Sequence, residues 1–246
     1  MFRPALLLLG IVALLTGPAG TASPEEFVFT SSYSPPYSRQ DDQGILDRIL
    51  AEAFRRIGQD FAVAHAPAER GLRDANAGIA DGVMARVAHM DTMYPNLRRI
   101  ESATIPSRDF VACSLRELGP VREWADLRPY NVAYVRGWKI IENNVPAAKS
   151  VIAVESTERL FRILARGRVD VAINARLDGL LMARELGIPG LRVHEPPLAS
   201  LSLYAFIHKD HEELAAPLGA AIDEMKRDGS FDAIYAEGAA GRRHGE

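Results

Sequence analysis

Apolar residues follow two different periodicities along the chain, and their alternation predicts its elements. Short β-rich runs at 27–30, 61–64 and 82–87 are separated by two segments with apolar positions at helical spacing. These segments end at Gly58 and Gly78, and glycine after the last periodic residue is typical of a helix end. The order strand, helix, strand, helix, strand predicts a parallel sheet covered by helices.

The same order of elements begins again in the second half of the chain. Strands are predicted at 131–135, 151–154 and 169–173, and helices at 156–167 and 175–186. Ser156 is suited to cap the first of these helices. This second block predicts another sheet with its own helices.

Two extended stretches connect the blocks, at 109–114 and 202–207, and no Ser/Gly-rich linker separates them. Further helices are predicted at 211–225 and 230–236. This arrangement predicts two lobes joined by strands that cross and return.

A short motif recurs in the two blocks at a constant offset of 89 residues. Each copy spans a helix, its Gly cap and the start of the following strand. Either the copies are a true internal repeat, or helix caps and first-turn charges have converged because they are generic. The matching residues are Glu69-Arg70, Leu72-Arg73, Gly78 and Asp81 in the first block and Glu158-Arg159, Phe161-Arg162, Gly167 and Asp170 in the second.

The first residues have the features of a secretory signal peptide. Arg3 precedes an apolar run at 5–15, and small residues follow up to Ala22. The run is shorter than the roughly 20 residues that cross a bilayer, which argues against the alternative of an uncleaved anchor. We therefore expect a signal peptide at 1–22, cleavage after Ala22 and release into the periplasm.

Composition excludes several classes of partner and chemistry. With a net charge of −3, the chain lacks the excess of positive charge expected for binding nucleic acid or an anionic membrane surface. Cys113 is the only cysteine, so no internal disulfide is possible, and its apolar surroundings favour a core role over a nucleophile. The sequence lacks a G-x-S-x-G elbow, a phosphate loop and a G-x-G-x-x-G motif, and we expect neither cofactor nor catalysis.

One cluster of histidines has the composition of a metal site. His208 and His211 stand beside Glu212. Asp210 and Glu213, however, predict a capping box at a helix start, which explains the cluster without a metal. We expect no metal here.

Arginines and aromatic residues stand at the predicted strand ends, where open parallel sheets bind ligands. Arg86 is prominent among them, because a guanidinium in an apolar strand needs a carboxylate, other acceptors or a wet cleft. Its alternative is a structural ion pair with Asp81 or Glu101. The aromatic residues could pack between loop and core, or form a wall around a basic centre that suits a small carboxylate. The candidate ligand-binding residues at these strand ends are Ser32, Tyr33, Tyr37, Arg86, Arg136 and Trp138.

Several motifs together resemble the family 3 extracellular solute-binding proteins, the amino-acid-type periplasmic binding proteins with the type II two-lobed fold. They are the signal peptide, the loop SYSPPYS at 32–38, ERGLRDANAGIADG at 69–82 and YVRGW at 134–138. The resemblance implies an α/β fold with a mainly parallel sheet in each lobe and two crossover strands. It also implies lobe 1 at 23–108 and 203–246, and lobe 2 at 109–202.

The resemblance further implies a solute held between lobes that close by hinge motion. Family members follow the third strand with hydroxyl residues and an Arg that clamps the ligand carboxylate; here Arg86 is the candidate clamp and the hydroxyls are absent. They also place an acid for the ligand amine where this chain has Asn174. Arg70, within the second motif, is a further candidate ligand-binding residue.

The sequence thus predicts a monomeric periplasmic protein that captures a small carboxylate-bearing solute, an amino acid or related organic acid, for an ABC-type permease. A first alternative is a dehydratase-like enzyme on the same scaffold, for which Glu69 is the only carboxylate near the proposed clamp. A second is a protein that presents its ligand to a membrane sensor.

Overall fold

The computed structural model describes residues 26–145 and 147–240. The predicted signal peptide and its cleavage site lie outside the described residues. No helix within the described part of the chain is both long and apolar enough to cross a membrane.

The first block folds into the predicted strands and helices. Strand β1 pairs in parallel with both β2 and β3, so these three strands form a sheet with β1 in its middle. Helix α1 buries one apolar face, which includes Ile49, Leu50 and Phe54, in the core of this lobe. The elements are β1 (Glu26–Ser31), α1 (Ile45–Arg56), β2 (Asp60–His65), α2 (Ala68–Asn76), β3 (Gly82–Val87), α3 (Met90–Met93) and β4 (Leu97–Arg99).

Two strands of 10 residues each, β5 (Ile105–Ser114) and β10 (Ala199–His208), pair antiparallel in the middle of the molecule. Strand β10 also pairs with β3 and β4, whereas β5 pairs with β8 (Val171–Ala175) and β9 (Arg192–Val193). The strand order is β2-β1-β3-β10-β5-β8-β6-β7. Both predicted extended stretches are confirmed as these crossing strands, which join the sheets of the two lobes.

The second block builds another parallel sheet, in which β6 pairs with β7 and β8. As predicted, Ser156 caps α5 and accepts a hydrogen bond of 3.2 Å from the Arg159 N–H. The elements are a 3-10 helix (Trp124–Leu127), β6 (Asn131–Val135), α4 (Lys139–Glu142), β7 (Ser150–Val154), α5 (Thr157–Ala165), β8 (Val171–Ala175), α6 (Arg176–Glu185) and β9 (Arg192–Val193).

Strand β8 begins and ends two residues later than the predicted range of 169–173. The Asp170 N–H donates to the Asn131 carbonyl and its carboxylate accepts from the Asn131 N–H, so the strand begins only after this bridge. Asn174 therefore lies within β8 and does not follow it.

The predicted capping box of Asp210 and Glu213 is wrong. Residues Lys209–Leu214 form a 3-10 helix, and the buried ring of His208 accepts the N–H of Asp210 at 3.4 Å. His211 has non-helical backbone angles within this segment, and the α-helix begins only at Ala215. The last helices are α7 (Ala215–Asp228) and α8 (Ser230–Ala239). Among the described residues, no group of three or more His, Cys, Asp or Glu side chains is arranged for a metal ion.

Candidate functional site

The SYSPPYS loop after β1 is held against the start of α1. The Ile45 and Leu46 N–H groups donate to the carbonyls of Pro36 and Tyr37 at 2.9 and 2.7 Å. Gly44 is required here, because a Cβ would lie 2.5 Å from the Tyr37 carbonyl oxygen. These contacts fix the loop, and with it the two tyrosine rings that it carries.

Asp47, in the first turn of α1, ties down the rest of this loop. One oxygen of its buried carboxylate accepts the N–H groups of Arg39 and Gly44 at 2.9 and 2.8 Å. A capping carboxylate of this kind satisfies N–H groups that the helix leaves unpaired. These hydrogen bonds tie the end of the loop to the start of α1.

Arg86, at the end of β3, turns its guanidinium back over this loop. Its Nη1 donates to the Ala85 carbonyl at 2.7 Å and its Nη2 to Ser32 Oγ at 3.2 Å. Its Nε is buried without a hydrogen-bond partner. Among the described residues, no carboxylate oxygen lies within 4.0 Å of this guanidinium.

The two acids considered as ion-pair partners of Arg86 are engaged elsewhere. The Asp81 carboxylate accepts the Val28 N–H at 2.7 Å, and Glu101 pairs with Arg99 at 2.8 Å. Arg86 therefore keeps a desolvated positive charge whose neighbours are a carbonyl and a hydroxyl.

Arg108, on the crossing strand β5, lies in a cage of aromatic rings. Its guanidinium carbon is 4.6 Å from the ring centroid of Tyr37, 4.8 Å from that of Trp138 and 5.7 Å from that of Tyr33. Its Nη2 donates to the Asp178 carboxylate at 3.1 Å, whereas Nε and Nη1 are buried without partners. Only 4% of the Arg108 side chain is exposed. We call the four residues around it, Tyr33, Tyr37, Trp138 and Asp178, the Arg108 cage.

The cage draws on both lobes. Tyr33 and Tyr37 come from the loop after β1, whereas Trp138 precedes α4 and Asp178 lies in the first turn of α6. Trp138 also contacts the Phe110 ring edge-to-face at 5.1 Å between centroids. The lobes therefore meet around one guanidinium.

Burial and the two arginines control the charges at this site. Burial raises the pKa of the Tyr33 hydroxyl, and the charges of Arg108 and Arg86 on either side oppose the rise. Burial also lowers the pKa of Arg86, because desolvation disfavours its charge. It raises the pKa of the Asp178 carboxyl, an effect that Arg108 opposes. Each shift has the same cause, the exclusion of water from this cluster.

The structure brings five of the sequence-predicted site residues together: Ser32, Tyr33, Tyr37, Arg86 and Trp138. Two predicted arginines lie on the surface instead. Arg70 pairs with Asp74 at 3.4 Å and Arg136 with Glu155 at 3.4 Å, with 74% and 64% of their side chains exposed.

Asn174 is buried on the face of the sheet that carries α5 and α6. A Cβ on Gly179 would lie 3.0 Å from the Phe161 ring and 3.8 Å from the Asn174 Cβ. The Asn174 Nδ2 atom is buried without a hydrogen-bond partner. Trp138 packs with the apolar cluster on the opposite face of β8, so strand alternation separates Asn174 from the cage.

Sequence reasoning missed Arg108 and Asp178. Arg108 directly precedes the predicted extended stretch at 109–114, and Asp178 was read only as part of a helix. The available signal was a lone arginine beside an apolar strand, the same signal that drew attention to Arg86.

A cavity of about 960 Å³ lies between the SYSPPYS loop and helix α6. Pro35 and Pro36 line it from one lobe and Leu181 and Arg184 from the other. Residues of α8 also line it, whereas Arg86, Arg108 and the rings around Arg108 do not, so this cavity is separate from the cluster around the two arginines.

Comparison with known proteins gives distant relatives. No family model matches the chain. It is 25% identical over 193 residues to an uncharacterized protein of Shewanella oneidensis, covering 75% of this chain and 72% of that protein. It is 28% identical over 111 residues to the "Probable amino-acid-binding protein YxeM" of Bacillus subtilis, covering 43% of this chain and 42% of that one.

The likeness to solved structures is much broader. The ligand-binding core of GluR0 in complex with L-glutamate superposes with a TM-score of 0.71 at 12% identity, over 89% of this chain and 100% of that one. The chain has the two-lobed fold of periplasmic binding proteins. An ancestral arginine-binding protein bound to glutamine shares this two-lobed fold with a TM-score of 0.63 at 18% identity, over 88% and 99% of the chains.

A third structure with the two-lobed fold is a histidine kinase sensor domain described as similar to periplasmic binding proteins. It has a TM-score of 0.63 at 18% identity and covers 87% of this chain and 96% of that domain. The fold predicted from the sequence is thereby confirmed.

Proposed function

We propose that the protein captures a small carboxylate-bearing solute between its lobes, with Arg86 as the clamp for the carboxylate. The observation that carries this proposal is the half-buried Arg86 guanidinium, whose Nε is buried without a partner and which has no carboxylate partner among the described residues. A guanidinium is the side chain best suited to a bidentate contact with a carboxylate.

The neighbours of Arg86 suit a small polar ligand. Ser32 Oγ lies 3.2 Å from its Nη2, and the Tyr33 hydroxyl donates to the Ala85 carbonyl at 3.3 Å. A ligand carboxylate could replace these weak contacts with charge-assisted hydrogen bonds. The family position for an amine-binding acid is Asn174, which lies away from the cage, so we favour an organic acid or an amino-acid derivative over a standard amino acid.

We further propose export by the signal peptide and delivery of the solute, by a monomeric periplasmic protein without cofactor, to an ABC-type permease. The named amino-acid-binding relative and the binding proteins among the structural neighbours support this role. The sensor-domain neighbour supports the second candidate, presentation of the bound solute to a membrane sensor.

We do not propose an enzyme, because two groups with a catalytic composition in the described part of the chain, Ser114–His194 and Glu69, are unsuited to catalysis. Ser114 Oγ lies 2.9 Å from His194 Nε2, but it is fully buried and donates to the Arg116 carbonyl at 2.9 Å. It can therefore neither meet a substrate nor pass its proton to the histidine. Glu69 is mostly exposed and accepts the Tyr94 hydroxyl at 3.2 Å.

A thermal-shift screen of the mature protein against organic acids, amino acids and their amides tests the proposal. A carboxylate that binds the native state raises the melting temperature of the wild type, and its neutral amide does not. Arg86→Lys screened in parallel should lose most of the shift. If no carboxylate stabilises the wild type, or the amides stabilise it equally, the proposal is wrong. Growth on the solute after gene deletion then separates uptake from sensing.

A further inference from the structure

The Arg108 cage has the composition of a binding site for a cation. The faces of three aromatic rings surround the guanidinium, and one carboxylate meets its Nη2. Aromatic faces attract a cation through their quadrupole, most strongly when water is excluded, and a carboxylate adds charge-assisted hydrogen bonds. The cation in this site belongs to the chain itself.

The contacts of Arg108 resemble those of a bound cationic ligand more than those of a structural ion pair. A structural pair would be expected to satisfy the guanidinium fork, yet Arg108 uses only Nη2 toward Asp178 and leaves buried Nε and Nη1 without partners. The ring faces supply the remaining contacts. Arg108 lies 5.7 Å from the Tyr33 ring centroid, and the Tyr33 hydroxyl and Arg86 Nη1 both donate to the Ala85 carbonyl, so Tyr33 connects the cage to the proposed carboxylate clamp.

We propose that Arg108 is a built-in cation that occupies the cage and keeps cationic ligand groups out of it. Arg108 and Asp178 neutralise each other, and among the described residues of this cluster Arg86 keeps a charge that a solute can meet. The site then selects a monoanion without a cationic group. This inference rests on the proposed function for the location of the cleft, and it narrows the substrate class from any carboxylate to one lacking an amine or guanidine.

Removing the internal cation should open the cage to an external one. Arg108→Ala deletes the guanidinium but keeps the three rings and Asp178. Ethylguanidinium chloride at low millimolar concentration, against sodium chloride at equal ionic strength, should raise the melting temperature of Arg108→Ala by several degrees and leave the wild type unchanged. Fluorescence of Trp138, which borders the cage, should change with the same concentration dependence in Arg108→Ala only.

Two matched variants show whether the cage is the site of binding. Arg108→Ala combined with Asp178→Asn should lose the response, since the carboxylate that meets the guanidinium is gone. Arg136→Ala, which removes an exposed arginine two residues before Trp138, should respond no more than the wild type.

The proposal is overturned if folded Arg108→Ala gives no response to ethylguanidinium, or if the wild type responds equally. If Arg108→Ala does not fold in buffer, refolding from urea with ethylguanidinium, and the milder Arg108→Gln, provide the same test. Recovery of native circular dichroism only with the guanidinium supports the proposal, and no recovery with either variant overturns it. Ethylguanidinium has no carboxylate, so the outcome is independent of whether Arg86 is the clamp.

Discussion

Asp81 and Asp170 make the same pair of hydrogen bonds in the two lobes. The Asp81 N–H donates to the Val28 carbonyl at 2.9 Å, and its carboxylate accepts the Val28 N–H at 2.7 Å. Asp170 makes the same two bonds with Asn131, at 2.8 and 2.9 Å. Each aspartate thus links the start of one strand to its parallel neighbour.

We expect Asp81→Ala and Asp170→Ala each to lower the free energy of unfolding by about 1–3 kcal/mol, because each leaves a partly buried N–H without its acceptor. Asp→Asn should cost less, since the amide oxygen can still accept. Urea unfolding followed by circular dichroism measures these differences. Asp91→Ala, at an exposed position, is the control, and Ala variants as stable as this control would contradict the assigned role.

The Arg86 variants should separate affinity from stability. Arg86→Lys should weaken binding of the carboxylate found by the screen, because an ammonium lacks the planar fork. Arg86→Ala should cost about 2–5 kcal/mol of binding free energy. The melting temperature without ligand should stay close to that of the wild type, since no carboxylate pairs with Arg86 among the described residues. Calorimetry and thermal melts measure the two quantities.

Two exposed arginines provide matched controls for Arg86. Arg70→Ala and Arg136→Ala remove the same charge from the surface, where an ion pair contributes about 0–1 kcal/mol to the free energy of unfolding. Both side chains lie away from Arg86, so the affinity for the carboxylate should not change. An Arg86 variant that melts much earlier than the wild type but binds normally when folded would refute the clamp.

The elements of both lobes were predictable from the sequence because their signals are local. The Gly caps of the repeat have positive φ in both lobes, 71° at Gly78 and 64° at Gly167, a backbone region that favours glycine. The first-turn acids pair with arginines four residues later, Glu69 with Arg73 at 3.8 Å and Glu158 with Arg162 at 2.7 Å. Spacing alone therefore indicated helix, cap and strand.

The candidate site was only partly predictable, because its residues are distant in the sequence. Tyr33, Arg108 and Asp178 come together only through the crossing strand and the docking of two lobes. Neither a strand arginine nor a helix acid reveals its partner by spacing. Arg136, which follows a strand as a site residue would, nevertheless turns to Glu155 on the surface. The residue types indicated the chemistry of the site, but only the fold shows which residues belong to it.

The Cys113 thiol should be unreactive in the native protein. Burial raises its pKa to about 12, so near pH 8 almost none is present as the reactive thiolate. We expect iodoacetamide to leave the folded protein unmodified and to add one group in urea, as read by intact mass. Cys113→Ala should cost about 1 kcal/mol through lost packing and leave ligand affinity within a few-fold. Loss of ligand binding on alkylation of the native protein would contradict this.

Glu52 should make part of the stability depend on acid pH. It accepts hydrogen bonds from Arg55 at 2.7 Å and Arg56 at 2.9 Å, and these arginines lower the pKa of its carboxyl from the ordinary 4.5 to about 2. The folded state therefore binds this proton less readily than the unfolded state. Its stabilisation is present above pH 4.5 and lost as the pH falls toward 2.

Glu52→Gln removes this titration, so the stability difference between wild type and variant should shrink from about pH 6 to about pH 3. Urea unfolding at several pH values measures it. Glu213→Gln, at an exposed position outside this helix, is the control. A difference for Glu52→Gln that stays constant across this range would show that its arginine contacts do not stabilise the fold in solution.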